Sequence, residues 1–212
     1  MLNIEVFDKY VEDYEAWYDK YPEVYKSELV VIKEQLAKMP ENIRGIEVGV
    51  GTGRFAQPLG IKEGIEPSEE MGKIALNRNI EILKGTAEHL PYGDLQFDFV
   101  LFVTICHLDN IKLAIKQAHR VLKNKGSIII GFLEKEQSIA KEYTERRKFS
   151  TFFKKSNFYT VNYIKRILEE AGFKNLEFNQ TLFGDLDTIK EEQIPKPGYG
   201  EGSFVVVKAT KK

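Results

Sequence analysis

Short apolar runs alternate with amphipathic stretches along the middle of the chain. The apolar runs are rich in Ile, Val, Phe and Leu, as is typical of buried parallel strands, and they lie at 43–48, 61–65, 80–83, 97–103 and 127–133. The helix-like stretches between them lie near 53–59, 68–77 and 109–122. Strands that alternate with crossover helices predict an α/β fold with a doubly wound, mostly parallel sheet covered on both sides.

Both ends of the chain add elements to this alternation. Residues 8–20 and 23–39 predict two helices, since Pro22 suits the start of the second and Pro40 follows its end. Beyond the last apolar run, a charged and aromatic segment (134–159) precedes a predicted helix at 160–171 and strands at 173–182 and 203–209. We expect one domain with a seven-stranded sheet, an antiparallel last strand and an amino-terminal helical cap. Its extent is 1–212, divided into the cap (1–40), a central core (43–133) and a carboxyl-terminal part (134–212).

Composition narrows the class of protein. The chain has 212 residues with 31 basic and 32 acidic side chains, so its net charge of −1 gives no overall field to attract nucleic acid. The single cysteine, Cys106, excludes an intramolecular disulfide and Cys-based zinc or iron–sulfur sites, and no metal site is predicted. The amino terminus is acidic and lacks a signal-peptide core, and mean hydropathy is −0.33. These features predict a soluble, cytoplasmic protein.

A glycine-rich turn, IEVGVGTGRF at 46–55, follows the first predicted strand. In an open α/β sheet the ligand crevice lies at the carboxyl ends of the strands, which is where this turn is expected. A phosphate-binding P-loop needs a Lys that the turn lacks. A dinucleotide turn needs G-x-G-x-x-G, but that spacing places Arg54 at the third glycine, and Gly53 comes one residue early. Three alternatives stay open here: S-adenosylmethionine, a dinucleotide and a purely structural turn.

Two carboxylates near the turn help to weigh these alternatives. Glu66 ends the second strand and could accept both ribose hydroxyls in either class of nucleotide site. Glu47 directly precedes the turn, where its charge would repel a pyrophosphate and favour a cationic ligand. S-adenosylmethionine carries a sulfonium and an ammonium group and no phosphate, so Glu47 favours it over a dinucleotide.

Four successive segments resemble the motifs of one known family. They are IEVGVGTGRF (46–55), GIEPSEEM (64–71), KGTAEHLPYGDLQFDFVLFVTICHL (84–108) and AIKQAHRVLKNKGSIIIGF (114–132). In order and spacing they resemble class I S-adenosylmethionine-dependent methyltransferases, of the small-molecule kind related to ubiquinone and menaquinone biosynthesis. YTVNYIKRILEEAGFKNLEF (159–178) is similar to a later helix and strand of that family. The resemblance implies a Rossmann-like methyltransferase fold, S-adenosylmethionine as cofactor, a cofactor-binding core at 43–133 and an acceptor side at 134–212.

The resemblance also implies a set of cofactor-binding residues. The glycines let the backbone wrap the methionine and ribose portions, Glu66 holds the ribose diol, and Pro67 and Met71 lie near the adenine. The family commonly has Asp where Thr86 stands, so recognition of the adenine amine is left to Thr86 or Glu88. The full implied set is Tyr14, Glu47, Gly49, Gly51, Gly53, Glu66, Pro67, Met71, Thr86, Ala87, Glu88, Val103 and Thr104.

Three features outside the glycine turn bear on the acceptor. Tyr14 belongs to an aromatic stripe on the first predicted helix, which either packs on the sheet edge or closes as a lid over the cofactor. Residues 143–159 carry aromatic side chains where the family builds its acceptor site. His107 follows the fourth strand, and its ordinary pKa of ~6.5 suits a general base, so it is the candidate catalytic residue.

The expected reaction is methyl transfer by in-line displacement from the sulfonium to a small-molecule acceptor. Two alternatives are an NAD(P)-dependent oxidoreductase and a non-catalytic S-adenosylmethionine-binding protein. No Asp/Asn-Pro-Pro-Tyr/Phe motif follows the fourth strand, which disfavours methylation of exocyclic amines on nucleic-acid bases.

Overall fold

A computed structural model describes residues 4–212 of the chain. Three helices come first: α1 (Ile4–Lys9), α2 (Val11–Lys20) and α3 (Pro22–Leu36). The predicted cap therefore exists as helices, although its first three residues lie outside the described part of the chain. Pro22 stands in the first turn of α3, where a missing backbone N–H costs no hydrogen bond.

An eight-stranded sheet follows the three helices. Its strands are β1 (Gly45–Val48), β2 (Glu63–Ile65), β3 (Glu81–Leu83), β4 (Phe97–Val103), β5 (Leu122–Leu133), β6 (Phe173–Thr181), β7 (Lys196–Pro197) and β8 (Phe204–Lys211). The spatial order is β3-β2-β1-β4-β5-β8-β6-β7. The first five strands pair in parallel, whereas β8 lies antiparallel between β5 and β6. The predicted doubly wound sheet with an antiparallel last strand is confirmed.

The predicted count of seven strands was wrong by one. The additional strand, β7, has two residues, one of them Pro197, and pairs with β6 at the edge of the sheet. Proline cannot donate to a ladder and occurs in sheets mainly at such edges. The polar, Pro-rich composition of this segment reads as a loop, which is why the sequence did not reveal the strand.

Four further helices connect or follow the strands: α4 (Glu69–Asn77), α5 (Ile111–Val121), α6 (Ser138–Glu145) and α7 (Val161–Glu170). Side chains from α5 and α7 pack on one face of the sheet, and side chains from α2, α3 and α4 pack on the other. The prediction of a helix near 53–59 was wrong, because the structure has only turns and a bend there. Pro58 has no N–H to donate to the Arg54 carbonyl, and the Tyr25 hydroxyl donates to that oxygen instead.

The carboxyl ends of five strands lie together at one edge of the sheet, which the helices on its two faces leave open: β1, β2, β4, β5 and β6. Helices α1 to α3 and α6 cover part of this edge. None of the helices in residues 4–212 is long and apolar enough to cross a membrane.

Candidate functional site

A cavity of about 220 Å³ lies at the carboxyl ends of the strands, beneath α1 and α2. Its wall includes residues that follow β1, β2 and β4, as the sequence predicted for the nucleotide crevice. The predicted site residues on the wall are Tyr14, Gly49, Gly51, Glu66, Pro67, Met71, Val103, Thr104 and His107. The predicted residues that are not on the wall are Glu47, Gly53, Thr86, Ala87 and Glu88.

The glycine turn leaves its backbone accessible from the cavity. Gly49 and Gly51 have φ of +73° and +56°, a region that favours glycine. A Cβ on Gly49 would meet no atom within 4 Å, whereas a Cβ on Gly51 would lie 3.3 Å from the Tyr14 hydroxyl and 3.8 Å from the Met71 sulfur. A ligand can therefore approach the turn closely at Gly49, and Tyr14 closes over it at Gly51.

Glu66 holds the turn and the start of α4 together. One carboxylate oxygen accepts the Gly51 N–H at 2.8 Å, and the other accepts the Ser68 N–H at 2.8 Å. Burial raises the pKa of Glu66 to about 7, against the effect of these two hydrogen bonds. Each oxygen keeps a further lone pair, so the carboxylate can also accept the two hydroxyls of a ribose.

Glu47 is buried beneath the turn, with 1% of its side chain exposed. Its Oε2 has no hydrogen-bond partner among the described residues, and burial raises its pKa well above the ordinary value. An orphaned carboxyl oxygen beside the glycine turn fits a ligand that donates hydrogen bonds or carries positive charge. The local chemistry therefore fits S-adenosylmethionine, even though Glu47 does not itself reach the cavity wall.

Gly53 serves packing in this structure. A Cβ at this position would lie 2.4 Å from Cδ1 of Ile80, so any larger residue would force the Ile80 side chain to move. Its φ of +83° adds a second requirement for glycine. Neither observation tests a direct contact with the cofactor, and that part of the prediction stays open.

Thr86, Ala87 and Glu88, the segment expected to recognise the adenine amine, lie outside the cavity wall, unlike Pro67 and Met71. Thr86 pairs with His89 in a tight turn. The buried Glu88 carboxylate accepts the Asn110 N–H at 2.9 Å, just before α5 begins. Glu88 thus already has a partner at the helix start, and its role toward the adenine stays a prediction, as does that of Thr86 and Ala87.

Residues after β4 form the opposite side of the cavity. Thr104 adopts φ of +60°, a strained conformation for a β-branched residue of the kind that clusters at functional sites. His107 ends a single 3₁₀ turn, and its ring stacks on Phe153 with centroids 5.4 Å apart and meets Phe7 edge-on at 5.1 Å. Its Nδ1 lies 3.3 Å from the Ser156 hydroxyl. Burial lowers the pKa of His107 to about 4, so the ring is neutral at pH 7.

Charged side chains fasten α1 and α2 over the cavity. Asp8 on α1 accepts the Ser68 hydroxyl at 2.6 Å. Glu15 on α2 accepts the Thr52 hydroxyl at 2.5 Å and pairs with Arg54 and Arg78 at 2.7 and 2.5 Å. Burial acts to raise the pKa of Glu15, but these partners outweigh it and hold the pKa at about 2. The Glu15 carboxylate therefore ties the helical cap directly to the glycine turn.

The far end of the cavity combines aromatic residues of the predicted stripe and of segment 143–159 with two residues that the sequence analysis missed, Glu28 and Leu182. It is formed by α2, α3, α6 and the chain after β6, with Trp17, Tyr18, Glu28, Tyr143 and Leu182 on its wall. Glu28 is the chemically notable member, because it is a carboxyl group on the buried face of α3. The buried positions of that helix are Val24, Ser27, Glu28, Val31, Ile32 and Gln35, a helical spacing readable from the sequence.

The aromatic segment at 143–159 contributes only in part. Tyr143, Phe152 and Phe153 reach the cavity wall, where Tyr143 and Phe153 stack with centroids 4.2 Å apart. Phe158 packs behind Phe153, and Phe149 is 91% exposed and points away from the cavity. The placement of this segment beside the cavity agrees with an acceptor site.

Comparisons with known proteins agree with this geometry. The sequence model of the family described as a methyltransferase domain matches residues 46–130. A crystal structure from Thermotoga maritima, of an S-adenosylmethionine-dependent methyltransferase described as a possible histamine N-methyltransferase, matches with a TM-score of 0.93. It is 42% identical, and the match covers 98% of this chain and 99% of that one.

Two further relatives are found among curated proteins. An uncharacterized protein of Methanocaldococcus jannaschii is 42% identical, over 98% of this chain and 100% of its own length. The demethylmenaquinone methyltransferase of Chlorobaculum tepidum is 31% identical, over 65% of this chain and 68% of its own.

Proposed function

Because the chain belongs to the class I S-adenosylmethionine-dependent methyltransferases, we propose that it methylates a small molecule bound at the far end of the same cavity. The observation that carries the proposal is that one cavity joins the glycine turn and Glu66 to an aromatic end beneath α2 and α3. Two reactants bound in that cavity would be held next to each other and away from water, which is the main requirement for this chemistry.

The residues near the turn would bind the cofactor. Gly49 offers an open backbone, Glu66 can accept the ribose hydroxyls, and Glu47 lies buried behind the turn with an unpaired carboxyl oxygen. When bound, S-adenosylmethionine supplies a methyl group on a sulfonium that is already activated for displacement. Tyr14 closes the turn, and α1 and α2 exclude water.

His107 has a restricted part in this proposal. The ring lies on the cavity wall, but with a pKa of about 4 it is a weak base at neutral pH. Its edge-on contact with Phe7 and its stacking on Phe153 support a role in shaping the acceptor site. Its action as a general base stays a prediction.

The oxidoreductase alternative is not favoured. A pyrophosphate is ordinarily held by the N-terminus of a helix that begins at the glycine turn, and here residues 50–60 form turns without a helix. Two of the relatives, from Thermotoga maritima and Chlorobaculum tepidum, are described as methyltransferases. A cytoplasmic location, a small-molecule rather than nucleic-acid partner, and the division into cap, cofactor core and acceptor side stay parts of the proposal.

Two measurements test the proposed function. Calorimetric titration should show binding of S-adenosylhomocysteine and none of NAD(H); the reverse result would contradict the proposal. Incubation of the enzyme and isotope-labelled S-adenosylmethionine with a fractionated cell extract should then label a small molecule, identified by mass spectrometry. Amines are the first acceptor class to examine, because the Thermotoga relative is described as a possible histamine N-methyltransferase. Cofactor binding without transfer to any compound would identify a non-catalytic protein.

A further inference from the structure

Glu28 is a buried carboxyl group that faces the cavity without a partner. Its side chain lies on the cavity wall, and the residue is only 8% exposed. No residue of the described chain forms a hydrogen bond or an ion pair with it, although its helix neighbour Ser27 is fully paired. A buried carboxyl group without a partner is unfavourable, so an occupant of the cavity that donates to it would offset a real loss of free energy.

Burial is the only effect that shifts the pKa of the Glu28 carboxyl group. It raises the pKa of Glu28 to about 8, and no hydrogen bond or neighbouring cation opposes the shift. The titratable groups that face it are Tyr18 on α2 and Tyr143 on α6, both of which have pKa values raised by burial and stay neutral at ordinary pH. Glu28 can therefore take up or release a proton near neutral pH with little competition from its neighbours.

Aromatic rings share the cavity wall with the carboxyl group. Tyr18 meets the Trp17 ring edge-on at 5.1 Å, and Tyr143 on α6 also lies on the wall. The faces of Trp and Tyr rings attract cations, most strongly where water is excluded. A carboxylate among such rings is the combination that binds a protonated nitrogen and rejects an anion.

The charge of the whole cavity points the same way. Its described wall carries three carboxyl groups, on Asp13, Glu28 and Glu66, and neither Lys nor Arg. The nearby guanidinium of Arg54 is held by Glu15, and His107 is neutral. An acceptor with a phosphate or carboxylate group would find no positive partner, whereas a cation finds a carboxylate and aromatic rings.

We propose that Glu28 recognises a protonated nitrogen of the methyl acceptor, an inference that rests on the proposed function and narrows the acceptor to a small, cationic amine. The carboxylate of Glu28 accepts the N–H groups of the ammonium, and the rings of Trp17, Tyr18 and Tyr143 surround its hydrocarbon part. This assignment excludes anionic acceptors. It competes with a neutral phenol or quinol acceptor, which the apolar parts of the wall would also hold.

Three probes of one skeleton test the assignment, each titrated calorimetrically into the protein saturated with S-adenosylhomocysteine. They are 2-phenylethylamine as the cation, 2-phenylethanol as the neutral analogue and phenylacetate as the anion. The amine should bind about 10- to 100-fold more tightly than the alcohol, as expected for a buried charged hydrogen bond, and phenylacetate should not bind. Equal binding of amine and alcohol, or failure of the amine to bind, overturns the assignment.

Glu28→Gln is the decisive variant, and Glu34→Gln on the exposed face of α3 is its matched control. Glu28→Gln should weaken amine binding about 10- to 100-fold and leave alcohol binding and S-adenosylhomocysteine affinity unchanged. Glu34→Gln should alter none of them. Unchanged amine binding in Glu28→Gln overturns the role of Glu28. If the unmodified protein does not bind S-adenosylhomocysteine, the proposed function itself is overturned. The failure of the proposed function is therefore distinguishable from the failure of the role of Glu28.

A pH series adds a readout that a structural role would not change. At pH values below its pKa of about 8, the carboxyl group of Glu28 in the empty site is protonated, and it must lose that proton to bind a cation. Amine affinity should therefore fall about tenfold per pH unit as the pH is lowered from about 8 to 6 in the unmodified protein. Amine affinity should not change with pH in Glu28→Gln. An affinity that is independent of pH in both proteins contradicts the proposal.

Discussion

Gly49 and Gly60 share a backbone conformation but differ in their surroundings. Their φ values are +73° and +74°, and a Cβ at either position would meet no atom within 4 Å. Only Gly49 lies on the cavity wall. The pair therefore separates the backbone requirement for glycine from the requirement of a ligand.

Gly49→Ala and Gly60→Ala should each lower the free energy of unfolding by about 1–2 kcal/mol, because both place an L-residue in the left-handed region. Only Gly49→Ala should weaken the binding of S-adenosylhomocysteine, by about tenfold or more, because the methyl group of the alanine enters space that the ligand uses. Denaturant unfolding and calorimetry measure the two effects. Equal affinities in the two variants would show that the turn does not hold the cofactor.

His107 offers a second test at the scale of one residue. Burial lowers its pKa to about 4, so the ring should stay neutral as the pH falls from 8 to about 5. Proton NMR of the three histidine rings, assigned with His107→Gln, should show His107 shifting only at the acidic end. A midpoint near the ordinary value of ~6.5 would mean that the ring is solvated and free to act as a general base.

Among the elements, α2 has the clearest mechanical role. Its Glu15 carboxylate joins the helix to Thr52 and Arg54 of the glycine turn and to Arg78 after α4. The same helix supplies Tyr14, which lies over Gly51. The position of the cap over the cavity therefore depends on one carboxylate with several partners.

Glu15→Gln should release the cap, because two Arg side chains lose their charged partner while the shape of the side chain is kept. We expect faster dissociation of S-adenosylhomocysteine, by about tenfold, and a loss of roughly 2–3 kcal/mol in the free energy of unfolding. Stopped-flow fluorescence of the single Trp17 can report the rate. Glu12→Gln, an exposed position on the same helix, is the control. If both variants release the ligand at the wild-type rate, α2 is not a lid.

Sequence patterns predicted the elements well where burial alone determines them. Four of the five parallel strands, β1, β2, β4 and β5, are largely buried, so their apolar runs stood out, and β4 was found at its observed bounds, whereas β3 is a mostly exposed edge strand. The turn at 53–59 misled because its apolar residues have helical spacing while Pro58 and the positive φ of Gly53 prevent a helix. β7 was missed because pairing with β6, rather than its own residues, makes it a strand.

The candidate site was predictable at one end only. The glycine turn and Glu66 form a local motif with a known spacing, and both lie on the cavity wall. Glu28 required a different inference: its helical spacing marks it as buried, but only the packing of α3 across the strand ends shows that it faces a cavity. The position of Thr86, Ala87 and Glu88 depends on how their loop folds, which spacing does not determine.

At the scale of the whole molecule, buried carboxyl groups make stability depend on pH. Burial raises the pKa of Glu28 to about 8 and of Glu66 to about 7, and it also raises that of Glu47 well above its ordinary value. The folded protein thus binds more protons than the unfolded chain above the ordinary carboxyl pKa, so stability falls as the pH rises. Glu15 acts oppositely, since its stabilisation is lost as the pH falls from about 4.5 to 2.

The ligand-free protein should therefore be less stable at pH 8 than at pH 7, a range above both the lowered pKa values of His107 and His119 and their ordinary value of ~6.5. We expect a loss on the order of 2 kcal/mol, seen as a decrease in Tm of roughly 4–8 °C. Differential scanning calorimetry measures it, and Glu28→Gln should show a smaller decrease. A Tm that is constant or rises over this range would show that these carboxyl groups are already ionised.

We propose that one cavity holds the cofactor at the glycine turn and the acceptor beside Glu28. A crystal structure with S-adenosylhomocysteine and 2-phenylethylamine tests it most directly. We expect the ribose hydroxyls on the Glu66 carboxylate, the amino acid portion along Gly49 and Gly51, and the ammonium within hydrogen-bond distance of Glu28. S-adenosylhomocysteine bound away from Glu66, or an amine that leaves Glu28 without a partner, would contradict it.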